Sequence, residues 1–398
     1  MSSRRCLRSS FPLLAALLAL LALVAATPPG SGPGNVLKNP GFEEPLKGHP
    51  WMPSGWDTSR AGLPTVFFGR DTFDVHEGRY AVNVANASTQ FTMAHNWSQV
   101  LLVGPEEWGK DLVLSIWTRN VGVEGRAYVK VDAYRDTISK MAHIWGIPRD
   151  DAAARLGINF VSDPSRDLAW KRLVFSDAET GWVRREVRVF LPPTTNVVFV
   201  RGGIIGIGQL ILDDASLALE PAQAPEELPL GKNLLADPGF EGDGNLWEYS
   251  IPPYPEIRAE RDTTVFRSGK ASLRFTSLPT AMIPGPTGVA QVFCNRNLSG
   301  KRVRFSAFIK PDSLRSSAFI KLLCKTPDDT KQEVSKNIIS GTMDWTEAKL
   351  EIDVPPETYA LWAWINYTAP ARGYVHFDDA SLEVLGPATA AEGSRSGP

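Results

Sequence analysis

Acidic residues recur at matched places in this chain. Asp213 and Asp214 stand in ILDDASL (211–217), and Asp378 and Asp379 in HFDDASL (376–382). Glu43 stands in NVLKNPGFEE (35–44), and Glu241 in NLLADPGFEG (233–242). Carboxylates suit hard-cation binding or general acid–base work. The histidines (49, 76, 95, 143, 376) show no HExxH or other paired metal spacing, and no GxSxG elbow, P-loop or GxGxxG after a strand occurs. Glycoside hydrolysis needs only two carboxylates roughly 5–9.5 Å apart. The place to search for them is DTISKMAHIWGIPRDDAAARLGI (136–158), with His143, Asp150 and Asp151.

Sugar recognition asks for different residues: exposed rings against the C–H faces of a pyranose, with donors and acceptors at the rim. The 12 Trp of this chain make that chemistry worth tracing. Strand alternation sorts Leu112, Leu114 and Ile116 from Ser115, Trp117 and Arg119, and Val303, Phe305 and Ala307 from Ser306, Phe308 and Lys310. The next strand sorts Val129, Val131 and Ala133 from Tyr128, Lys130, Asp132 and Tyr134, and its counterpart sorts Ile320 and Leu322 from Phe319 and Lys321. Two adjacent strands are thus expected to carry an aromatic and charged face opposite an aliphatic one. Trp362, Trp364 and Asn366 share a further face, whereas Trp56, Trp182, Trp247 and Trp345 sit at motif edges and read as structural.

The elements that must position these residues come in two copies. Besides the bookend motifs, Asp71 and Asp262 each precede a glycine (Gly78, Gly269) by seven residues, and Gln99-Val100 matches Gln291-Val292. Trp182 and Trp345 each open a strand that ends in Pro-Pro. Ordered matches of this density mark a duplicated domain. The units span 35–220 and 233–385, joined by the linker 221–232 and followed by a polar tail, 386–398, expected to be disordered. Gln to Trp is 83 residues in unit one and 54 in unit two, which places an insertion of 29 residues, partly helical, near 135–165. Elsewhere short alternating runs are punctuated by Gly, Pro and Asn, predicting an all-β chain of two tandem jelly-roll β-sandwiches.

Composition narrows the partners. The net charge of −2 over 398 residues argues against nucleic acid. Arg4, Arg5 and Arg8 precede an apolar run to Ala26, the pattern of a signal peptide (1–26), so the protein is expected to be secreted, to the exterior, periplasm or cell surface. No other segment is long and apolar enough to span a membrane. Cys294 and Cys324 form either one disulfide, worth about 3 kcal/mol in loop entropy, or two buried thiols. Sequons stand at Asn86, Asn96, Asn297 and Asn366.

The bookends NVLKNPGFEE…ILDDASL and NLLADPGFEG…HFDDASL, with the central Gln-Val and the late Trp, resemble family 4/9 carbohydrate-binding modules of the galactose-binding-like superfamily. The resemblance covers nearly the whole chain after residue 26, twice. It implies a β-sandwich that binds polysaccharide in a cleft on one sheet, as an accessory to glycoside hydrolases. It also implies a structural calcium where the bookends meet, held by Glu43 with Asp213 or Asp214 and by Glu241 with Asp378 or Asp379. Carbonyls near Lys38–Pro40 would help in unit one, and alternation would leave one Asp of each pair as the ligand. Two departures stand out: no catalytic domain accompanies the modules, and the insertion in unit one is atypical. The resulting expectation is a non-catalytic polysaccharide-binding protein, working with a separately encoded glycoside hydrolase. Its binding residues would be Trp117, Arg119, Tyr128, Lys130, Asp132, Tyr134, Phe308, Lys310, Phe319, Lys321, Trp362 and Trp364. The rivals are a jelly-roll hydrolase or lyase and a structural or adhesive surface protein.

Overall fold

The computed structural model describes residues 34–59, 63–89, 93–158, 166–176, 178–242, 246–250, 257–278, 285–327, 330–334, 339–369 and 371–389. The expected signal peptide, residues 159–165 of the insertion and the tail from 390 onward lie outside the described residues. Among the described residues no helix is long and apolar enough to cross a membrane.

Unit one begins with a hairpin of β1 (Pro45–Leu46) and β2 (His49–Pro53). It continues through β3 (Asp57–Thr58), β4 (Val66–Asp71), β5 (Ala81–Asn86), β6 (Ala94–Leu102), β7 (Lys110–Arg135), α1 (Thr137–Trp145) and α2 (Arg149–Leu156). It closes with β8 (Arg166–Phe175), β9 (Val183–Phe190) and β10 (Val197–Pro221). Unit two holds β11 (Glu248–Ser250), β12 (Ile257–Asp262), β13 (Ser272–Ser277), β14 (Gly285–Phe293), β15 (Lys301–Asp312) and β16 (Leu314–Lys325). Then follow β17 (Thr330–Val334), β18 (Ile339–Gly341), β19 (Thr346–Asp353), β20 (Ala360–Ala369) and β21 (Tyr374–Pro387). All pairings between these strands are antiparallel.

Unit two is a sandwich of two sheets, β12-β13-β21-β15-β19 and β11-β14-β20-β16-β17, with β18 also on β16. Unit one has the same plan with fewer breaks. Its long β7 and β10 run through both layers, pairing with β9 and β5 in one and with β8 and β6 in the other. Where β15 turns into β16 at Ser313 and β20 into β21 at Gly373, unit one bends at Gly122–Gly125 and Gly206–Gly208. Glycine is required there. A Cβ on Gly125 would lie 2.2 Å from the Ile205 carbonyl oxygen, and one on Gly206 2.1 Å from that of Glu124.

The aliphatic faces found by alternation fill the interiors. Leu112, Leu114, Ile116, Val129, Val131 and Ala133 lie in one core, and Val303, Phe305, Ala307, Ile320 and Leu322 in the other. The bookends of each unit meet, as a closed sandwich demands. The Asn35 amide donates to Ala215 O (3.1 Å) and its oxygen accepts from Leu217 N (3.0 Å); Asn233 does the same with Ala380 and Leu382. Gln99 grips both polar groups of Lys38, and Gln291 those of Ala236, which gives the repeated Gln a structural task. Trp56 and Trp247 donate their indole N–H to Asn39 O and Asp237 O from buried positions.

The insertion is helical as expected. Asp136 caps α1 by accepting from Ser139 N, and Gly146 ends it in a left-handed conformation. The two helices bury Ile138, Ala152 and Ala153 in a small core of their own. His143 in the last turn of α1 and Asp150 and Asp151 in the first turn of α2 are exposed. Those are the ends at which a base and acids favour the helix dipole.

No disulfide joins Cys294 to Cys324. Cys324 points into the core of unit two, while the Cys294 thiol donates to Trp170 O of unit one at 3.3 Å. Reductant is therefore expected to leave the thermal midpoint unchanged. A thiol titration of the unfolded, never-reduced protein should count both.

Candidate functional site

The candidate binding residues fall into two groups, because consecutive strands lie in opposite layers rather than side by side in one sheet. Trp117, Arg119, Phe308 and Lys310 face outward from the layer of β9 and β19. Tyr128, Lys130, Asp132, Tyr134, Phe319, Lys321, Trp362 and Trp364 face outward from the other. The chain changes layer at Gly122–Gly125 and at Ser313, a bend that periodicity within either strand does not reveal.

The first group braces the bookends. Trp117 stacks on His76 (4.0 Å, 19°), whose Nδ1 lies 2.6 Å from Asp214 Oδ2 and whose ring Trp182 meets edge-on. At the equivalent place in unit two, the Arg267 guanidinium lies 3.5 Å over Phe308 and pairs with Asp379 at 2.5 Å. Each unit thus carries an aromatic ring, a basic side chain and an acid together. Arg119 and Lys310 are held by Asp74 and Asp344.

The acids themselves form a clasp on the loop between β4 and β5 in unit one and between β12 and β13 in unit two. Asp213 Oδ2 accepts from His76 N and Glu77 N (2.9 and 3.2 Å), and Glu43 Oε1 from Arg79 N and Tyr80 N (2.7 and 3.0 Å). Asp378 and Glu241 repeat this with Arg267, Ser268 and Lys270. Both Asp of each pair turn toward that loop, against the alternation expected. A bulge places Asp214 and Asp379 at φ 45° and 47° in the left-handed region.

The carbonyls of Lys38, Asn39 and Pro40 already accept from Gln99, Trp56 and Ala215. Among the described residues no three His, Cys, Asp or Glu side chains converge to hold a metal. Among those residues Asp214 Oδ1 is nevertheless buried without a partner, and Glu43, Asp213 and Asp214 are the side chains that would hold the calcium the resemblance implies.

Burial, and then the neighbouring Asp214, push the Asp213 carboxyl up to about 8, against the pull of its backbone donors. A folded-state pKa above the unfolded value gives stability that is full below about 3.9 and is lost as pH rises toward 8. The midpoint of unit one is therefore expected to fall between pH 4 and 8, and Asp213→Asn to flatten that fall. A bound calcium would ionise Asp213 and cancel the dependence, so the scan with calcium should be flat and the scan with chelator should show the fall.

The second group converges where the units meet. On β20, Trp362 and Trp364 stack at 5.6 Å with planes 9° apart, both half-buried. Trp170 of β8 meets Trp362 edge-on at 5.8 Å, so three indoles form one row across the two units. Cations lie over every ring: Lys130 (4.6 Å) and Arg172 (5.9 Å) over Trp170, Lys325 (4.6 Å) over Trp362, and Lys321 (5.2 Å) over Trp364. Burial lowers the pKa of Lys321. Among the described residues, Trp362 Nε1, Trp364 Nε1 and Asn366 Nδ2 are buried without an acceptor.

In unit one this face is spent on internal partners. Tyr128 and Asp132 are buried, at 2% and 1% exposure. Asn96 donates to the Tyr128 hydroxyl (2.9 Å), and Asp132 holds Lys130 (2.6 Å) and Arg201 together. Tyr134 meets Phe199 edge-on, and Arg126 reaches across to Trp247 O (3.2 Å). Register equates Arg201 with Trp364 and Asp132 with Leu323, since Lys130 pairs with Arg201 as Lys321 does with Trp364. Unit two therefore has a second indole and no acid where unit one has an ion pair. Sequence reasoning named Trp362 and Trp364 but missed Trp170, Arg172 and Lys325, which lie on strands whose partners only the fold supplies. Asn96 and Asn366, both sequons, are buried.

No family model matches the chain, and no curated protein matches it. Among solved structures, the tandem CBM22-1–CBM22-2 of Paenibacillus barcinonensis Xyn10C aligns at 13% identity and TM-score 0.30, over 84% of this chain and 94% of that one. The C-terminal family 22 carbohydrate-binding module of Clostridium thermocellum Xyn10B aligns at 14% and 0.32, over 42% and 99%. The Stig cyclase Fisc from Fischerella sp. TAU aligns at 18% and 0.32, over 48% and 98%. Likenesses this remote carry no functional argument. What the chain itself shows is an all-β architecture of two tandem antiparallel sandwiches.

Proposed function

We propose that this is an exported, non-catalytic protein that binds polysaccharide on the indole row Trp170–Trp362–Trp364. The observation that carries the reading is the half-exposed, parallel Trp362–Trp364 pair on one strand, continued by Trp170 from the neighbouring unit. Indoles in such a row present apolar faces to sugar rings, while their N–H groups and the surrounding side chains can bond hydroxyls. Export rests on the N-terminal pattern, and work beside a separate glycoside hydrolase rests on the family resemblance.

Because the equivalent face of unit one is buried and internally paired, the two sandwiches build one composite site instead of two independent ones. Affinity electrophoresis through gels containing soluble polysaccharides tests the reading. Retardation by at least one polymer, without release of sugar from it, is expected; release of product would make the protein an enzyme. Calorimetry with an oligosaccharide of the retarding polymer should give one site per chain.

A further inference from the structure

We infer that the polysaccharide bound on this row is anionic and carries carboxylates, as a uronate-containing glycan does; the inference rests on the reading just given. Charge is the first ground. The outward side chains of the two facing sheets include Lys130, Arg201 and Lys321, and Asp132 is held between the first two. The whole chain is net −2, so this concentration of cations is local and focuses the field where the indoles lie.

Hydrogen-bond polarity is the second ground. Trp362 Nε1, Trp364 Nε1 and Asn366 Nδ2 recur every second residue on β20, all donors, and none has an acceptor among the described residues. Lys321 across the strand pair adds a fourth donor, lying over the Trp364 ring with no carboxylate against it among the described residues. A sugar hydroxyl that accepts from such a row still has a proton to place, and neither the indoles nor the lysine has an acceptor for it. A carboxylate only accepts, so it can satisfy several donors at once and pair with the lysine. Leu323, standing where unit one has Asp132, keeps the position beside Lys321 free of a competing acid.

The lysine stems lie over the rings in the free protein, so the ligand enters as they lift, exchanging a cation–π contact for an ion pair. A single-stranded nucleic acid would find the same rings and cations, and it is therefore one of the probes that can overturn the assignment.

The test is affinity electrophoresis and calorimetry of the full chain at low and moderate salt. The probes are polygalacturonate, the same polymer with its carboxyls reduced to alcohols, neutral xylan, dextran sulfate and single-stranded DNA. Polygalacturonate is expected to bind roughly tenfold or more tightly than its reduced counterpart and to weaken with salt. Lys321→Met should remove about tenfold of that preference, and Lys321→Arg should retain it. Equal binding of charged and reduced polymers overturns the inference and leaves the function standing. Binding to no polysaccharide overturns both. Dextran sulfate or DNA bound as tightly as polygalacturonate makes the row a general polyanion site and overturns the carboxylate assignment.

Discussion

Replacing Trp362 and Trp364 together by alanine is expected to abolish polysaccharide binding, weakening it by at least about a hundredfold. Buried aromatic anchors at the centre of a contact are worth roughly 2 kcal/mol or more each on truncation, and each 1.4 kcal/mol is a factor of ten. The fold should survive the change. Both rings lie outside the hydrophobic core of unit two, which is built on the other face of β20 by Leu361, Ala363 and Ile365. Trp362→Ala alone should cost more than Trp364→Ala, because it also removes the contact with Trp170 and so breaks the row at the junction of the units. A thermal midpoint shifted by only a few degrees, with retardation lost, is the expected pair of results. Loss of folding with loss of binding would instead make the pair structural.

The second large effect is on stability. Asp132 is almost wholly buried and, among the described residues, is the one carboxylate holding Lys130 and Arg201. Asp132→Leu, the residue of unit two, should destabilise unit one by about 3–5 kcal/mol, since breaking a buried pair strands its charges. For a unit of this size that is a fall in melting temperature on the order of 10 °C. Adding Arg201→Trp, again the residue of unit two, removes one stranded charge and should recover part of the loss. Full stability in the single variant would show that water, not Asp132, solvates those cations.

Much of the fold was legible in the chain. The bookends predicted that the first and last segments of each unit touch, and Asn35 and Asn233 do so through the same bonds. The residues of those motifs also have local reasons: Asn39 and Asp237 sit at φ 46° and 45°, a conformation their short polar side chains tolerate. The helical insertion was legible from its composition. The site was legible only in part. Alternation tells which side of a strand a residue faces, not which of two sheets the strand joins. Trp117 and Trp362 therefore read alike in sequence, and one braces a clasp while the other lies in the indole row. Asp132 and Lys130 read as exposed because their mutual neutralisation, with Arg201 from β10, is a contact between distant segments. Loop amides engage Asp213, Glu43, Asp378 and Glu241, and backbone donors leave no mark on residue types.

The most direct measurement is affinity electrophoresis of four proteins side by side on the polysaccharide that retards the wild type. These are the wild type, Trp117→Ala, Phe308→Ala and the Trp362→Ala, Trp364→Ala double variant. Retardation kept by the first three and lost by the last is the result predicted by a site on the indole row. Retardation kept by the double variant, or lost with Trp117 or Phe308 while the protein stays folded, would contradict it and move the binding face to the opposite sheet.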